Sequence, residues 1–237
     1  MSSIYQFTSI AVIRSCFKEK FGIPRQPTLV QNPATIEIDS MFSVDDAFRE
    51  LEDFSHIWVI FVFHENKEKP WTPTVRPPRL GGNQRIGVFA SRSMYRPNAI
   101  GLSVVELKSI ERKEGKVILN ILGGDFLDLT PVIDIKPYVP YADAIAEAKA
   151  GYASEPPVKN LAVTFSDNAN NDLAKYIVKY PHLKKLVTDI LQLDPRPAYQ
   201  KKTMNKEHYS MRLYEFDIHW RMLDKAILVT ALEVIDS

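Results

Sequence analysis

Two guanidinium groups, those of Arg92 and Arg96, stand four residues apart in the stretch 89–103, FASRSMYRPNAIGLS. Apolar runs lie on both sides, and Pro97, Asn98 and Gly101 fix the backbone around the pair. This is a strand–loop–strand unit with two cations at its bend. Such a bend has little apolar cover. It makes a poor core element and a good platform for an anionic ligand.

Two other places offer polar groups on a fixed backbone. Arg25 and Gln26 lie between Pro24 and Pro27, whose φ is set by their rings, so this loop has little entropy left to lose on binding. Read alone, it serves equally well as a connector. His64 and Glu65 follow the most apolar run of the chain, FSHIWVIFVF at 54–63. Sheets and barrels often place binding groups just beyond a strand, although a surface cap has the same pattern.

Composition excludes several chemistries. A single cysteine, Cys16, permits no internal disulfide and no thiolate zinc site. The histidines at 56, 64, 182, 208 and 219 show no metal-ligand spacing. There is no GxSxG elbow, no Walker loop and no GxGxxG, since Gly81-Gly82 and Gly123-Gly124 are simple pairs. No apolar run is long enough to span a bilayer, and the polar residues scattered through 1–15 do not form a signal peptide, which points to the cytoplasm.

Net charge is only +1, but its distribution is uneven. Lys67, Lys69, Arg76, Arg79, Arg85, Arg92 and Arg96 face a single acid, Glu68. A second cluster, Arg196, Lys201, Lys202, Lys206 and Arg212, is set against Glu207. Clusters of this kind form positive faces suited to a polyanion; a solvated charged surface is the competing reading.

The elements that position these groups are mostly short strands. Residues 7–14, 35–38, 54–63, 86–90, 100–107, 117–122 and 132–135 read as strands, with a turn at Glu114-Gly115 and a short helix after Ser43 as N-cap. Residues 66–85 form a long basic loop with four prolines, of the kind that is usually functional or disordered. With many strands and no alternating helices, residues 1–150 are expected to be mainly β, a barrel or strongly curved sheet. Residues 142–150 read as an Ala-rich helical stretch and 151–159 as a linker. Residues 160–237 then form a smaller α+β domain. Its elements are a strand at 161–165, a helix capped by Ser166 and ended by Pro181, a helix at 183–193, one half-buried strand at 212–220 and a last strand at 226–234. Physics alone supports a polar-lined β platform for an anionic or nucleotide-like ligand and names no reaction.

Six ordered blocks name more. IPRQP (23–27), FVFHE (61–65), TVRPPRLGG (74–82), GVFASRSMYRPNAIGLS (87–103), DLTPVIDIKPY (128–138) and DPRPAY (194–199) together closely resemble the TrmO (YaeB/TsaA-like) tRNA methyltransferases through nearly the whole chain. The chain has Asn98-Ala99 and Asp128-Leu129 where many members show Asn-Pro and Asp-Gly. The resemblance implies an S-adenosyl-L-methionine-binding β-barrel unlike the Rossmann type and a tRNA-contacting C-terminal domain. It also implies a homodimer with the cofactor near the subunit contact. The implied reaction is methylation of N6 of a threonylcarbamoyl-modified adenosine just 3′ of the tRNA anticodon.

Carried over by motif, Pro24, Arg25 and Gln26 contact the cofactor from the first loop, and His64 and Glu65 from the end of the central strand. Arg92 and Leu102 do so from the bend, and Asp128, Leu129, Thr130, Pro131 and Val132 from the second proline loop. Arg96, Pro97 and Asn98 are left to shape the bend or face RNA. This suits the ligand: arginines can take its carboxylate, loop backbone groups its adenine, and carbonyls or a carboxylate its cationic end. In-line methyl transfer needs no metal, and positioning supplies much of the rate. No general base follows from the sequence. Asp128 is one candidate, and a loop-ordering carboxylate would look the same. A non-catalytic RNA-binding protein using the same basic faces is the alternative, distinguished by the absence of cofactor binding.

Overall fold

In the computed structural model, residues 3–66, 70–159, 161–197 and 208–235 are described. They divide into two compact units: 1–15, 26–75 and 87–146 form one, and 16–25, 76–86 and 147–237 the other.

The first unit is a closed six-stranded barrel. Its strands are β1 (Ala11–Arg14), β2 (Pro33–Ile38), β3 (His56–Val62), β6 (Ile100–Lys113), β7 (Lys116–Leu122) and β8 (Pro131–Pro137), arranged in the order β1-β2-β7-β6-β3-β8. The two-residue strands β4 (Thr74–Val75) and β5 (Ile86–Gly87) lie in the chain between β3 and β6. Every barrel pairing is antiparallel.

Period-two alternation fills the interior. Ile57, Val59 and Phe61 of β3, Val105 and Leu107 of β6, Val117, Leu119 and Ile121 of β7, and Ala34, Ile36 and Ile38 of β2 are buried together. Each buried Val, Leu, Ile or Phe among them contributes about 1.5–3 kcal/mol. The run at 54–63 is thus a half-in, half-out strand rather than a uniformly buried one. Its outward Trp58 is packed near Tyr138, with ring centroids 5.9 Å apart, and its Nε1 donates to Asp143 Oδ2 at 3.0 Å. The β6–β7 hairpin turns at Glu114 and Gly115, both at positive φ (51° and 75°), the backbone that matches strand twist.

A six-stranded barrel is filled by its own side chains, so ligands must be met at an end. Strands β1, β3 and β7 finish, and β2, β6 and β8 begin, at the same end. The connections there are 15–32, 63–99 and 123–130.

The second unit is a four-stranded sheet in the order β10-β11-β12-β9, from β9 (Ala162–Phe165), β10 (His208–Leu213), β11 (Phe216–Leu223) and β12 (Ala226–Val234). Strand β9 runs parallel to β12. Helices α2 (Asp167–Tyr176) and α3 (Leu183–Gln192) supply buried Leu173, Leu186, Val187, Ile190 and Leu191 to this unit's core. Ser166 caps α2 by accepting from Ala169 N at 3.1 Å. Residues 16–25 join this unit: Phe17 bridges to Leu213, and Tyr214 N donates to Cys16 O at 2.8 Å.

Several local expectations change: β1 begins at Ala11 rather than at residue 7, and α2 ends at Tyr176, ahead of Pro181. Ser43 does not cap a helix. Its Oγ donates to Asp39 O and accepts from Val117 N, and only short 3-10 turns, Asp45–Phe48 and Leu51–Asp53, follow. Residues 86–90 are strand only to Gly87 and then a 3-10 turn. Helix α1 (Pro140–Asp143) is a single turn, because residues 141–150 are exposed throughout and bury no apolar face that would extend it. The strand expected at 212–220 is broken: Tyr214 adopts φ 53° and reverses the chain, making β10–β11 a hairpin.

Candidate functional site

The barrel's interior changes character at the end where β2, β6 and β8 begin. Below it the layers are Ile, Val and Leu; at it lie buried Asn32, Ser103 and Thr130. Asn32 precedes β2, and the alternation through Ala34 and Ile36 places it on the inner face. It is 1% exposed, and neither its Oδ1 nor its Nδ2 has a hydrogen-bond partner among the described residues. A buried amide left without partners costs stability unless something else satisfies it.

The bend at 91–99 is held from several sides. Arg96 Nη1 donates to Ser91 O at 2.7 Å and Val88 O at 3.4 Å, and its guanidinium lies 5.8 Å from the Phe89 ring centroid. Arg96 therefore shapes the bend, and with Phe89, Pro97, Asn98 and Ile100 it lines a shallow open cleft. Arg92 is different. It is exposed, and its Nη1 donates to Gln26 Oε1 at 2.7 Å, which links the bend to the first loop. Phe63 N donates to Ala99 O at 2.8 Å and ties the bend to the end of β3. There His64 and Glu65 form a 3-10 turn, with Nε2 and Oε1 3.9 Å apart. Across from β3, Gly101 lies under Phe61: a Cβ on Gly101 would sit 2.2 Å from that ring.

The β7–β8 connection is pinned to β1. Ser15 N donates to Asp128 Oδ1 at 2.9 Å, Leu129 N to Ile13 O at 2.9 Å, and Ile13 N to Thr130 O at 2.9 Å. Thr130 Oγ1 closes the loop onto Leu127 O at 2.7 Å. Leu129 stands in the left-handed region at φ 62° with its side chain exposed, so the loop takes this backbone without a glycine. Pro131 and Val132 open β8.

Gln26, His64, Glu65, Arg92, Leu102 and residues 128–132 thus all lie at or beside one barrel end. Leu102 points outward on β6 and is half exposed. Pro24 and Arg25 belong to the second unit. There Arg25 Nη2 reaches Arg196 O at 3.5 Å; burial draws its guanidinium's pKa down, and the charge of Asp194 acts the other way.

Besides Asn32, a second residue of this end has no counterpart among the expected site residues. Asp125 follows Gly123-Gly124, is half-buried, and accepts from Ser103 Oγ at 2.6 Å. Burial pushes its carboxyl up to about 6, against the Ser103 hydrogen bond, its own backbone N–H and the Arg92 charge. The one sequence sign was an acid placed directly after two glycines.

Of the basic clusters, Arg76, Arg79 and Arg85 are exposed in the second unit. Arg196 is committed to a two-point pair with Asp194, Nε to Oδ1 at 2.8 Å and Nη2 to Oδ2 at 3.0 Å. Arg212 is exposed. Lys67, Glu68, Lys69, Tyr199, Lys201, Lys202, Lys206 and Glu207 lie outside the described residues. Among the described residues no group of three or more His, Cys, Asp or Glu side chains could hold a metal ion, and no helix is long and apolar enough to cross a membrane.

A model of the tRNA-methyltransferase O N-terminal domain matches residues 12–144, and one of the TrmO C-terminal domain matches residues 158–235. The chain is 46% identical over 232 residues to the tRNA (adenine(37)-N6)-methyltransferase of Escherichia coli (strain K12), with 98% of this chain and 99% of that one covered. It is 46% identical over 221 residues to a Pseudomonas aeruginosa protein named "Putative S-adenosylmethionine-dependent methyltransferase RcsF", covering 91% and 92% of the two chains. A crystal structure of TrmO from Pseudomonas aeruginosa superposes with a TM-score of 0.80 at 36% identity over 98% of this chain and 99% of that one.

Proposed function

The chain belongs to the tRNA-methyltransferase O family, and from that premise we propose that it transfers a methyl group from S-adenosyl-L-methionine to N6 of an adenosine in the anticodon arm of tRNA. The adenosine is the threonylcarbamoyl-modified one just 3′ of the anticodon. The observation that carries this reading is the agreement of both family models along the chain with likeness to a named methyltransferase over its full length.

The barrel end fits the cofactor. It offers an exposed guanidinium oriented by Gln26, a partnerless buried amide at Asn32, and a loop at 128–132 whose backbone is fixed by β1. Arg92 is suited to the cofactor's carboxylate, with His64 and Glu65 offered from the end of β3 and Leu102 as an apolar wall. Residues 128–132 supply loop backbone groups for the adenine, and Gln26 completes the set from the first loop, next in sequence to Pro24 and Arg25. Bound S-adenosylmethionine supplies an electrophilic methyl group on a sulfonium. The chain's part is to orient the acceptor nitrogen in line with that methyl, a contribution of positioning that needs no metal.

Arg76, Arg79, Arg85 and Arg212 are exposed cations suited to tRNA phosphates, with residues 160–237 as the tRNA-contacting domain and residues 1–150 as the catalytic domain. The enzyme acts as a homodimer in the cytoplasm. The test is methyl transfer from labelled S-adenosylmethionine to tRNA taken from cells that install the threonylcarbamoyl group and from cells that do not. Label is expected only on the former. Equal label on both would overturn the modified substrate. Cofactor binding without transfer to either would leave a non-catalytic RNA binder.

A further inference from the structure

Asp125 stands where the fold itself has no use for a charge. Its Oδ1 is fixed by Ser103 Oγ, a group 2% exposed on the inner face of β6, and an asparagine would still offer that hydroxyl an acceptor oxygen. Burial disfavours its ionised form more than its neighbours favour it. The charged group that bears on it is Arg92, from the bend, and Arg92 Nη1 is donated to Gln26. Nearby on the same barrel end, Asn32 keeps its amide unpartnered, and Asn32 O accepts from Gly123 N at 3.1 Å, two residues before Asp125. A half-buried acid that opposes folding, hydrogen-bonded to Ser103 at the polar mouth of a barrel whose deeper layers are apolar, has the properties of a binding group for a cation.

On the reading that S-adenosylmethionine is the methyl donor, we infer that Asp125 is the counter-charge for the donor's sulfonium, and so the residue that makes this site prefer the charged donor to the neutral thioether product. The sign follows from the chemistry. Donor and product share their adenine, ribose, ammonium and carboxylate, and differ in the methyl group and the positive charge it places on sulfur. Arg92, Gln26 and the 128–132 loop face the shared parts, so they hold both ligands alike. A carboxylate at the sulfur holds only the donor strongly, and the product is released once that charge is gone.

The experiment is calorimetric titration of the full chain with S-adenosylmethionine and, separately, with S-adenosylhomocysteine. In Asp125→Asn, donor affinity should fall about tenfold, the equivalent of about 1.4 kcal/mol, with product affinity changed less than about twofold. In the unaltered protein, donor affinity should fall as pH drops through about 6, product affinity should not, and Asp125→Asn should remove the difference. The product titration cancels effects common to both ligands, those of His64 and Glu65 included. Equal loss of both ligands would make Asp125 a mere support of the pocket and overturn the inference, as would no loss of either. If the variant does not fold, the unaltered protein decides: a donor-to-product affinity ratio constant across that pH range overturns it. Unaltered protein that binds neither ligand overturns the cofactor reading and this inference with it; binding of both with a ratio insensitive to Asp125 overturns this inference alone.

Discussion

The backbone amide of Ser15 donates to Asp128 Oδ1 at 2.9 Å, joining the end of β1 to the β7–β8 loop across 113 residues of chain. Through this bond the Asp128 carboxylate holds in place the loop that carries residues 129–132. Asp128→Ala leaves the Ser15 amide without that acceptor and should lower unfolding free energy by about 1–2 kcal/mol. Asp128→Asn keeps an acceptor oxygen and should lose less than half as much. Denaturant unfolding of the two variants measures the difference; equal losses would mean that the charge, not the hydrogen bond, matters.

Arg92 and Gln26 act as a pair. Removing the guanidinium with Arg92→Ala should weaken S-adenosylmethionine binding by about tenfold to a hundredfold, the range for a charged hydrogen bond. Gln26→Leu leaves the charge but frees its direction, and should cost about threefold to tenfold. Lysine at 92 should restore little, because a point charge does not reproduce the planar fork. Calorimetry reads all three, and unchanged affinity in Arg92→Ala would remove Arg92 from the site.

Leu129 holds φ 62° with 51% of its surface exposed, so its side chain brings backbone strain and little burial in return. Leu129→Gly should therefore stabilise the protein by about 1 kcal/mol, the strain relieved less the extra entropy of an unfolded glycine. A denaturation midpoint that stays or falls would count against strain at this turn.

Asp125 also sets a pH dependence of stability. Its folded-state pKa, about 6, lies above the ordinary aspartate value of 3.8, so between those limits the folded protein holds the proton more firmly than the unfolded chain. The group's contribution then favours folding at low pH and weakens as pH rises through about 6. Asp125→Asn should be more stable than the parent at neutral pH, by on the order of 2–3 kcal/mol, and the gap should close toward pH 4. Thermal melts across that range test it; a variant less stable at neutral pH contradicts it.

Strand β3 was legible as a run of Ile, Val, Phe and Trp without glycine or proline, and β7 through the Glu114-Gly115 turn before it; the in-and-out alternation of β3 was not, because its outward residues are apolar too. The β10–β11 turn was not, because Tyr214 takes a left-handed backbone that its side chain does not advertise. The Ala-rich stretch at 142–150 has helix propensity but no apolar face to bury, and propensity lost. At the site, Arg92, Gln26 and the 128–132 loop stood out through the prolines around them and through family resemblance. Asp125 and Asn32 did not, since what distinguishes each is burial without full compensation, a property of the packed barrel. The membership of 16–25 in the second unit left no local sign either: Phe17 reads as a loop residue until Leu213 is placed against it.

The division of the chain has a consequence for how this protein can be cut or recombined. It passes between the two units five times, at 15/16, 25/26, 75/76, 86/87 and 146/147. A polypeptide ended after residue 150 would retain Phe17 and Cys16 but lose Leu213 and Tyr214, the residues that cover or bond them. The carboxy-terminal half expressed alone would lack those two residues and the 76–86 loop. Neither half is a cassette, and splicing at the apparent linker would trade away pieces of both.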